Sequence, residues 1–577
     1  MKRLDRKLLR ELWSLKGQAF AIALVMGSGV ATLVMMLSTV TSLRDAQQDY
    51  YDSHRFAHVF THLKRAPDAF AARIGAMPGV AQVQTRIVVD VTLDLPDVIV
   101  PASGRLISLD ADPREGLNLL QLRRGRFPEP FARGEALVSE AFADANRLEP
   151  GDRVRAIING RMQALLIVGI AISPEYIYQM RPGEFIPDDK RFGVFWLDRL
   201  ELASAYGLQG AFNDVALTLT HASAEPDVIE RLDALTARYG GQGAYGRTKQ
   251  LSNRLVTDEL SQLQGMASIP SAIFLGVTAF LLNVVISRLV QTQREQIAIL
   301  KAFGYTKTQV GAHYFKFVLV LGVVGIAMGI AAGDWLGRDL AALYGRYFRF
   351  PVMEFRLDRV SVLLAVGITA GAATLGAFGA VHRATKLPPA ESMRPEEPAR
   401  YRPLIIERLG LKRLVGRIPR MILRQLERKP IASGFSILGI ALAMAIVVLG
   451  SFSRDLVDFV IDLQFFGAQR HDASLTLVEP AASGALHEIR RMPGVMAAEP
   501  FRTVPIRMKF GHLSRQLALL GLPPDAELMR LVDTAWREAP LPPAGLVVSR
   551  TLAELLQARL GDVVTVEVTE GQRPVFE

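Results

Sequence analysis

The 577-residue chain has no cysteine, which excludes disulfide frameworks, thiolate metal sites, iron–sulfur ligation and a cysteine nucleophile. It has no G-x-x-x-x-G-K-[ST] segment. The nearest glycine-rich run, Gly240–Gly246, is followed by Arg247, so the chain is not expected to hydrolyse ATP. No G-x-S-x-G elbow and no Ser-His-Asp spacing is present, and the carboxylates are dispersed, so no catalytic residue is expected. His54, His58 and His62 recur every four residues, but no second ligand group completes a metal site, and none is expected.

Charge is missing from five stretches. Gly17–Leu43, Leu260–Ser287, Phe317–Gly333, Val360–Val381 and Pro430–Ser453 hold no Asp, Glu, Lys or Arg, and each is long enough for the roughly 17 to 25 helical residues that cross a bilayer. The chain as a whole is 50% hydrophobic and 21% charged, with a mean hydropathy of +0.22. That balance fits part membrane bundle, part water-exposed domain. The first stretch is too long for a signal peptide and reads as a retained anchor helix. The third is the shortest, with Lys316 expected to snorkel and extend it. With no ionisable residue in the five spans, a proton relay is not expected.

The net charge of +10 would suggest a nucleic-acid partner if it formed one patch on a soluble domain. It is instead divided by side. With the N-terminus inside, the inner segments 1–16, 288–316 and 382–430 hold 24 basic and 8 acidic residues, and the remainder holds 43 and 49. The positive-inside tendency therefore predicts a cytoplasmic N-terminus and leaves no support for nucleic-acid binding. The predicted order is inner N-terminus 1–16, span 17–43, outer α+β domain 44–259, span 260–287, inner elbow 288–316, span 317–333, outer loop 334–359, span 360–381, inner linker 382–429, span 430–453 and second outer domain 454–577. Within the first outer domain Arg86–Leu95, Arg153–Ile158 and Ala164–Ile170 read as strands, and Ala69–Met77 and Pro226–Tyr239 as helices.

The second outer domain repeats the first. Met77-Pro-Gly-Val80 matches Met492-Pro-Gly-Val495, offset by 415; Arg10 in LLREL matches Arg424 in ILRQL; Leu137-Val-Ser139 and Gly151-Asp-Arg-Val154 match Val547-Val-Ser549 and Gly561-Asp-Val-Val564, offset by 410. Both copies start inside and run outward, so a tandem parallel repeat is expected. The second copy breaks off at Glu577, which predicts an incomplete second repeat with an open strand edge after Val564–Val568.

Between the second and third spans lies Arg294-Glu-Gln-Ile-Ala-Ile-Leu-Lys-Ala-Phe-Gly304, then Tyr305-Thr-Lys-Thr-Gln309. Gly304 suits a helix end, and Thr306 with Gln309 forms a capping box for the next helix. Ile297, Leu300 and Phe303 are expected to form an exposed apolar ridge, ringed by Arg294, Glu295, Lys301 and Lys307. Two spans carry small residues at helical spacing: Ala19, Ala23, Gly27 and Ala31 in the first, Gly325, Gly329 and Gly333 in the third. Such faces let backbones approach closely in lipid.

The segment REQIAILKAFGYTKTQV resembles the cytoplasmic coupling segment of FtsX-like permeases, with 268–386 the most specific part. LLRELWSLKGQAFAIAL, MILRQLERKPIASGFSI and MPGV resemble MacB-like permeases of the two-repeat, eight-helix type. The resemblance implies an α-helical integral inner-membrane protein with MacB-like periplasmic α+β domains, apparently lacking the C-terminal part of that plan. It further implies the permease subunit of an ABC transporter, with ATP bound by a partner ATPase and no cofactor of its own. Membrane lipid and a periplasmic adaptor are further expected partners. The expected role is export or extraction of a lipid, lipoprotein, peptide or drug; the alternative is non-transporting mechanical activation of a periplasmic hydrolase.

Overall fold

The computed structural model describes residues 3–95, 102–181, 187–386, 430–477, 481–533, 537–569 and 573–577. The chain divides into two compact units, residues 1–49 with 255–451 and residues 50–254 with 452–577. It begins with a short amphipathic helix α1 (Arg3–Ser14), followed after Leu15 by the 38-residue α2 (Lys16–Ser53).

The mixed unit starts where α2 ends. A four-stranded sheet has the order β11–β1–β10–β2, from β1 (Val59–Pro67), β2 (Val80–Arg86), β10 (Ala211–Leu219) and β11 (Tyr245–Gly246). Its apolar face packs on α3 (Phe70–Gly75) and α6 (Glu225–Thr236) through Phe70, Ile74, Val215, Val228 and Leu232. A second sheet is built from β3 (Val88–Asp94), β4 (Ala102–Leu109), β5 (Gln121–Gly125), β6 (Glu135–Ser139), β7 (Arg153–Ile158), β8 (Arg161–Ile172) and β9 (Phe192–Asp198). Pairing of β7 with β8 joins its two ends, so β8, β6, β9, β4, β3 and β7 close into a ring with β5 on its edge. Closure removes open edges. Leu93, Leu106, Val138, Leu165, Ile167 and Phe195 are buried in the ring's core, with α4 (Glu140–Asn146) and α5 (Arg199–Tyr206) contributing Phe142 and Leu202.

The expected strand Arg86–Leu95 is β3 for most of its length, with Arg86 itself ending β2, and an ion-pair cluster marks the corner between them. Arg86 closes β2, where its guanidinium is buried between Asp214 (Nε to Oδ1, 2.7 Å) and Glu175 (2.5 and 3.0 Å). Asp214 also meets His62 Nδ1 at 2.9 Å. Ile87, fully buried, turns the chain into β3 in the other sheet. Burial opposes ionisation of Asp214, but Arg86 and His62 outweigh it and hold the carboxyl far below the usual range. Nearby, Arg247 lies 5.3 Å from the Tyr51 ring centroid and 4.9 Å from that of Phe56. Tyr51 donates to Asn253 Oδ1 at 2.9 Å, which ties the end of α2 to the start of the next long helix.

That helix is α7 (Leu251–Thr292), followed by α8 (Arg294–Ala302), α9 (Lys307–Tyr347), α10 (Arg359–Lys386) and α11 (Pro430–Ile461). Among the described residues five helical segments are long and apolar enough to cross a membrane: Lys16–Ser53, Leu251–Thr292, Lys307–Tyr347, Arg359–His382 and Ile437–Ala468. The third is not short. α9 runs for 41 residues, because the charges beyond Gly333 prolong it, with Arg338 and Asp334 paired one turn apart at 3.0 Å. Lys316 pairs with Asp5 at 2.9 Å. Of the expected inner linker 382–429, residues 382–386 end α10, and 387–429, with Arg424, lie outside the described residues.

The last segment adds α12 (Gly484–Arg490), β12 (Arg502–Phe510), β13 (Leu513–Gly521), α13 (Arg550–Leu556), β14 (Thr565–Val568) and β15 (Val575–Phe576). Its sheet order is β13–β12–β14–β15. β14 is thus paired on both sides, which corrects the expectation of an open edge directly after Val568. Gly79 and Gly494 share φ near +90° (93° and 90°), and Gly151 and Gly561 are likewise positive at 111° and 93°. Strand register follows the same offsets. β3 pairs with β7 at Thr92↔Ile157, Leu93↔Ala156 and Asp94↔Arg155, while β12 pairs with β14 at Arg507↔Glu567, Met508↔Val566 and Lys509↔Thr565. Shifts of 415 and 410 carry one set onto the other.

Candidate functional site

The elbow between α7 and α9 is shaped by three local devices. Gln293 interrupts the helix at φ −100°, ψ 16°. Gly304, at φ +88°, makes the turn out of α8, a conformation that L side chains adopt at a cost. Thr306 then caps α9: its Oγ1 accepts from Gln309 N–H at 3.3 Å, and its own N–H donates to Gln309 Oε1 at 3.0 Å.

The expected apolar ridge is divided between two faces. Ile297 is 1% exposed and packs with Ile286, Leu289, Val310 and Phe317, so it anchors the elbow and cannot meet a partner. Phe303, 81% exposed, and Ile299 present the outward apolar surface. Leu300, Arg294 and Lys301 are half-buried, and Glu295 is exposed. The reason is helical geometry: α8 turns one side to the bundle, and Ile297 with Ala298 occupies it. Burial, with Lys307 close by, pulls the Lys301 pKa below its ordinary value, easing desolvation of that ammonium.

A buried polar cluster beneath the elbow has no counterpart in the sequence reading. Glu11 receives His313 Nε2 at 3.1 Å, Gln293 Nε2 at 2.8 Å and Lys7 Nζ at 3.0 Å. Tyr314 donates to Gln293 Oε1 at 3.0 Å, and Lys7 to the same atom at 3.1 Å. Burial pushes the Glu11 carboxyl up, but the bonds from His313, Lys7 and Gln293 together pull it below the usual carboxylate range. α1, the break at Gln293 and the first turns of α9 are thereby held as one block.

The two small-residue faces pack on each other. A Cβ added to Gly27 would lie 3.2 Å from Gly325 O, one on Gly325 3.1 Å from Ala23 O, and one on Gly333 3.1 Å from Ala31 O. On α10, Gly376 O accepts from Asn283 Nδ2 of α7 at 2.9 Å. The three histidines do not converge: His54 faces Gln121 at 3.2 Å, His58 Nδ1 accepts from Leu219 N–H at 3.1 Å, and His62 pairs with Asp214. Among the described residues no group of three His, Cys, Asp or Glu could hold a metal.

Residues 268–389, covering the elbow and helices α9 and α10, match the family model of the FtsX-like permease C-terminal domain. This chain carries an FtsX-like permease domain. Over 263 residues it is 23% identical to an uncharacterised ABC transporter permease protein of Mycobacterium tuberculosis, a match spanning 45% of this chain and 29% of that relative. Similar solved structures include the periplasmic region of MacB from Actinobacillus actinomycetemcomitans, at 10% identity and TM-score 0.24, covering 37% of this chain and 97% of that one. The extracellular domain of the ABC-type transporter YknZ from Gram-positive bacteria is another, at 14% identity and TM-score 0.21, covering 32% and 92%. The FtsX-like domain lies in a chain whose described residues hold five helices long and apolar enough to cross a membrane, as in a multi-pass membrane protein. Within the FtsX-like segment fall the elbow, the half-buried Gln293, the buried His313 and the glycine seam of α9.

Proposed function

We propose that this chain is the membrane subunit of an ATP-driven ABC complex, in which a partner ATPase docks on the elbow and its motion reaches the outer domains for export or extraction of a lipid, lipoprotein, peptide or drug. The observation that carries this reading is the division of labour within α8: Phe303 stands 81% exposed at the tip while Ile297, 1% exposed, is locked into the bundle. A knob of this kind offers an apolar anchor for a pocket, and its root transmits displacement to Gln293 and through Glu11 to α1. α2 and α7 begin in one unit and end in the other. Their outer ends are joined by Tyr51, Asn253 and Arg247, a joint suited to transmission.

The proposal includes an inner-membrane location with the N-terminus, elbow and 382–429 cytoplasmic, supported by the charge division, and a tandem parallel repeat, supported by the equivalent registers of β3–β7 and β12–β14. A periplasmic adaptor is a further proposed partner. The test is ATP turnover by the cognate ATPase with the full chain in lipid vesicles. A carboxylate at a desolvated contact costs about 1–3 kcal/mol, so Phe303→Asp should weaken ATPase association about tenfold while the protein still inserts. Unchanged association and turnover would remove the elbow from the mechanism.

A further inference from the structure

The cations at positions 6 to 16 fall on two faces. Lys7 points inward and is paired with Glu11. Arg6, Arg10 and Lys16 are exposed, and among the described residues none of them forms an ion pair. Between them stand Leu9, 58% exposed, and Trp13, 76% exposed, with Lys16 Nζ 5.4 Å from the Trp13 ring centroid. Positions 6, 9, 10 and 13 recur at three- and four-residue spacing and share one side of α1, and Lys16, the first residue of α2, reaches the Trp13 ring on that side. The opposite side is fixed, since Leu8 is buried and Glu11 is held by His313 and Gln293. α1 cannot roll to hide its outer face.

Depth decides what covers that face. The apolar run begins at Gly17, and at about 1.5 Å per helical residue Trp13 falls about 6 Å and Arg10 about 10 Å from its edge. The headgroup layer is roughly 5–7 Å thick on each side of the hydrocarbon core, and Arg and Lys side chains reach several ångström further along it. An indole belongs at that boundary, and unpaired cations beside it complement phosphate.

We propose that the Leu9–Arg10–Trp13–Lys16 face binds the phosphate groups of anionic phospholipids, with Trp13 seated at the interface. This site is independent of ATPase docking, so either can fail alone. The test uses the full chain in vesicles of phosphatidylcholine, with or without phosphatidylglycerol. Since the chain has no cysteine, Ser14→Cys accepts a single spin label. The label should collide more with lipid-soluble oxygen than with a water-soluble nickel chelate. Lipid retained through purification should be enriched in phosphatidylglycerol. The enrichment should fall by about fivefold per cation removed in Arg10→Gln and Lys16→Gln, and Trp13→Ala should move the label toward water with the cations intact. Equal retention of both lipids, enrichment that survives both substitutions, or a label facing water in both vesicles, as an acidic soluble partner would require, overturns the proposal.

Discussion

Gly27 and Gly329 meet backbone to backbone: a Cβ built on Gly329 would lie 2.7 Å from the Gly27 carbonyl oxygen and 2.5 Å from Val30 Cβ. Neither neighbour is the free end of a flexible chain, so α2 and α9 would have to separate. Gly329→Ala should cost about 1–3 kcal/mol, the usual range for overpacking, and lower the thermal midpoint in detergent. Gly371, with nothing within 4 Å of its added Cβ, is the control, and Gly371→Ala should be neutral. Equal midpoints for both variants would show that the seam is loose.

The Glu11 cluster predicts a pH dependence. The folded-state pKa of Glu11 is depressed, so its contribution is fully present above the ordinary carboxylate range and is lost as pH falls through the folded value. Glu11→Ala, which strands His313 and Lys7, should cost about 3 kcal/mol at neutral pH. Less should be lost in strong acid, where wild-type Glu11 is itself protonated. Thermal midpoints of both proteins across acidic pH check this; a constant gap would contradict it.

Arg86 lies between the carboxylates of Asp214 and Glu175, and Asp214 also meets His62. Arg86→Met leaves two buried carboxylates facing each other and should cost about 3–5 kcal/mol. Amide exchange in β2 and β10 should quicken first. Protection unchanged from wild type would contradict the role given to this ion pair.

Local chemistry was legible in the sequence wherever neighbours along the chain decide it. Gly304 and the Thr306–Gln309 box depend on a few adjacent residues, and they form the turn and cap that their types require. The apolar runs lie inside long helices, though α9 outruns its charge-free core because a helix continues through charges that pair one turn apart. Which side of α8 is buried is a property of the bundle, so Ile297 was misread as exposed. Glu11 and His313 are 302 positions apart, and no spacing rule joins them. An acid on the inner side of a basic, apolar helix was the only trace of that cluster.

The central claim is that Phe303 seats the ATPase while Ile297 holds the elbow to the bundle. Because the chain has no cysteine, a photoactivatable crosslinker can be placed by Phe303→Cys, Ile299→Cys or Ile297→Cys, one at a time, in the full chain assembled with its cognate ATPase in vesicles. The account predicts ATPase adducts from positions 303 and 299, varying with bound nucleotide, and none from 297. Adducts absent at 303, or formed equally from 297, would contradict it.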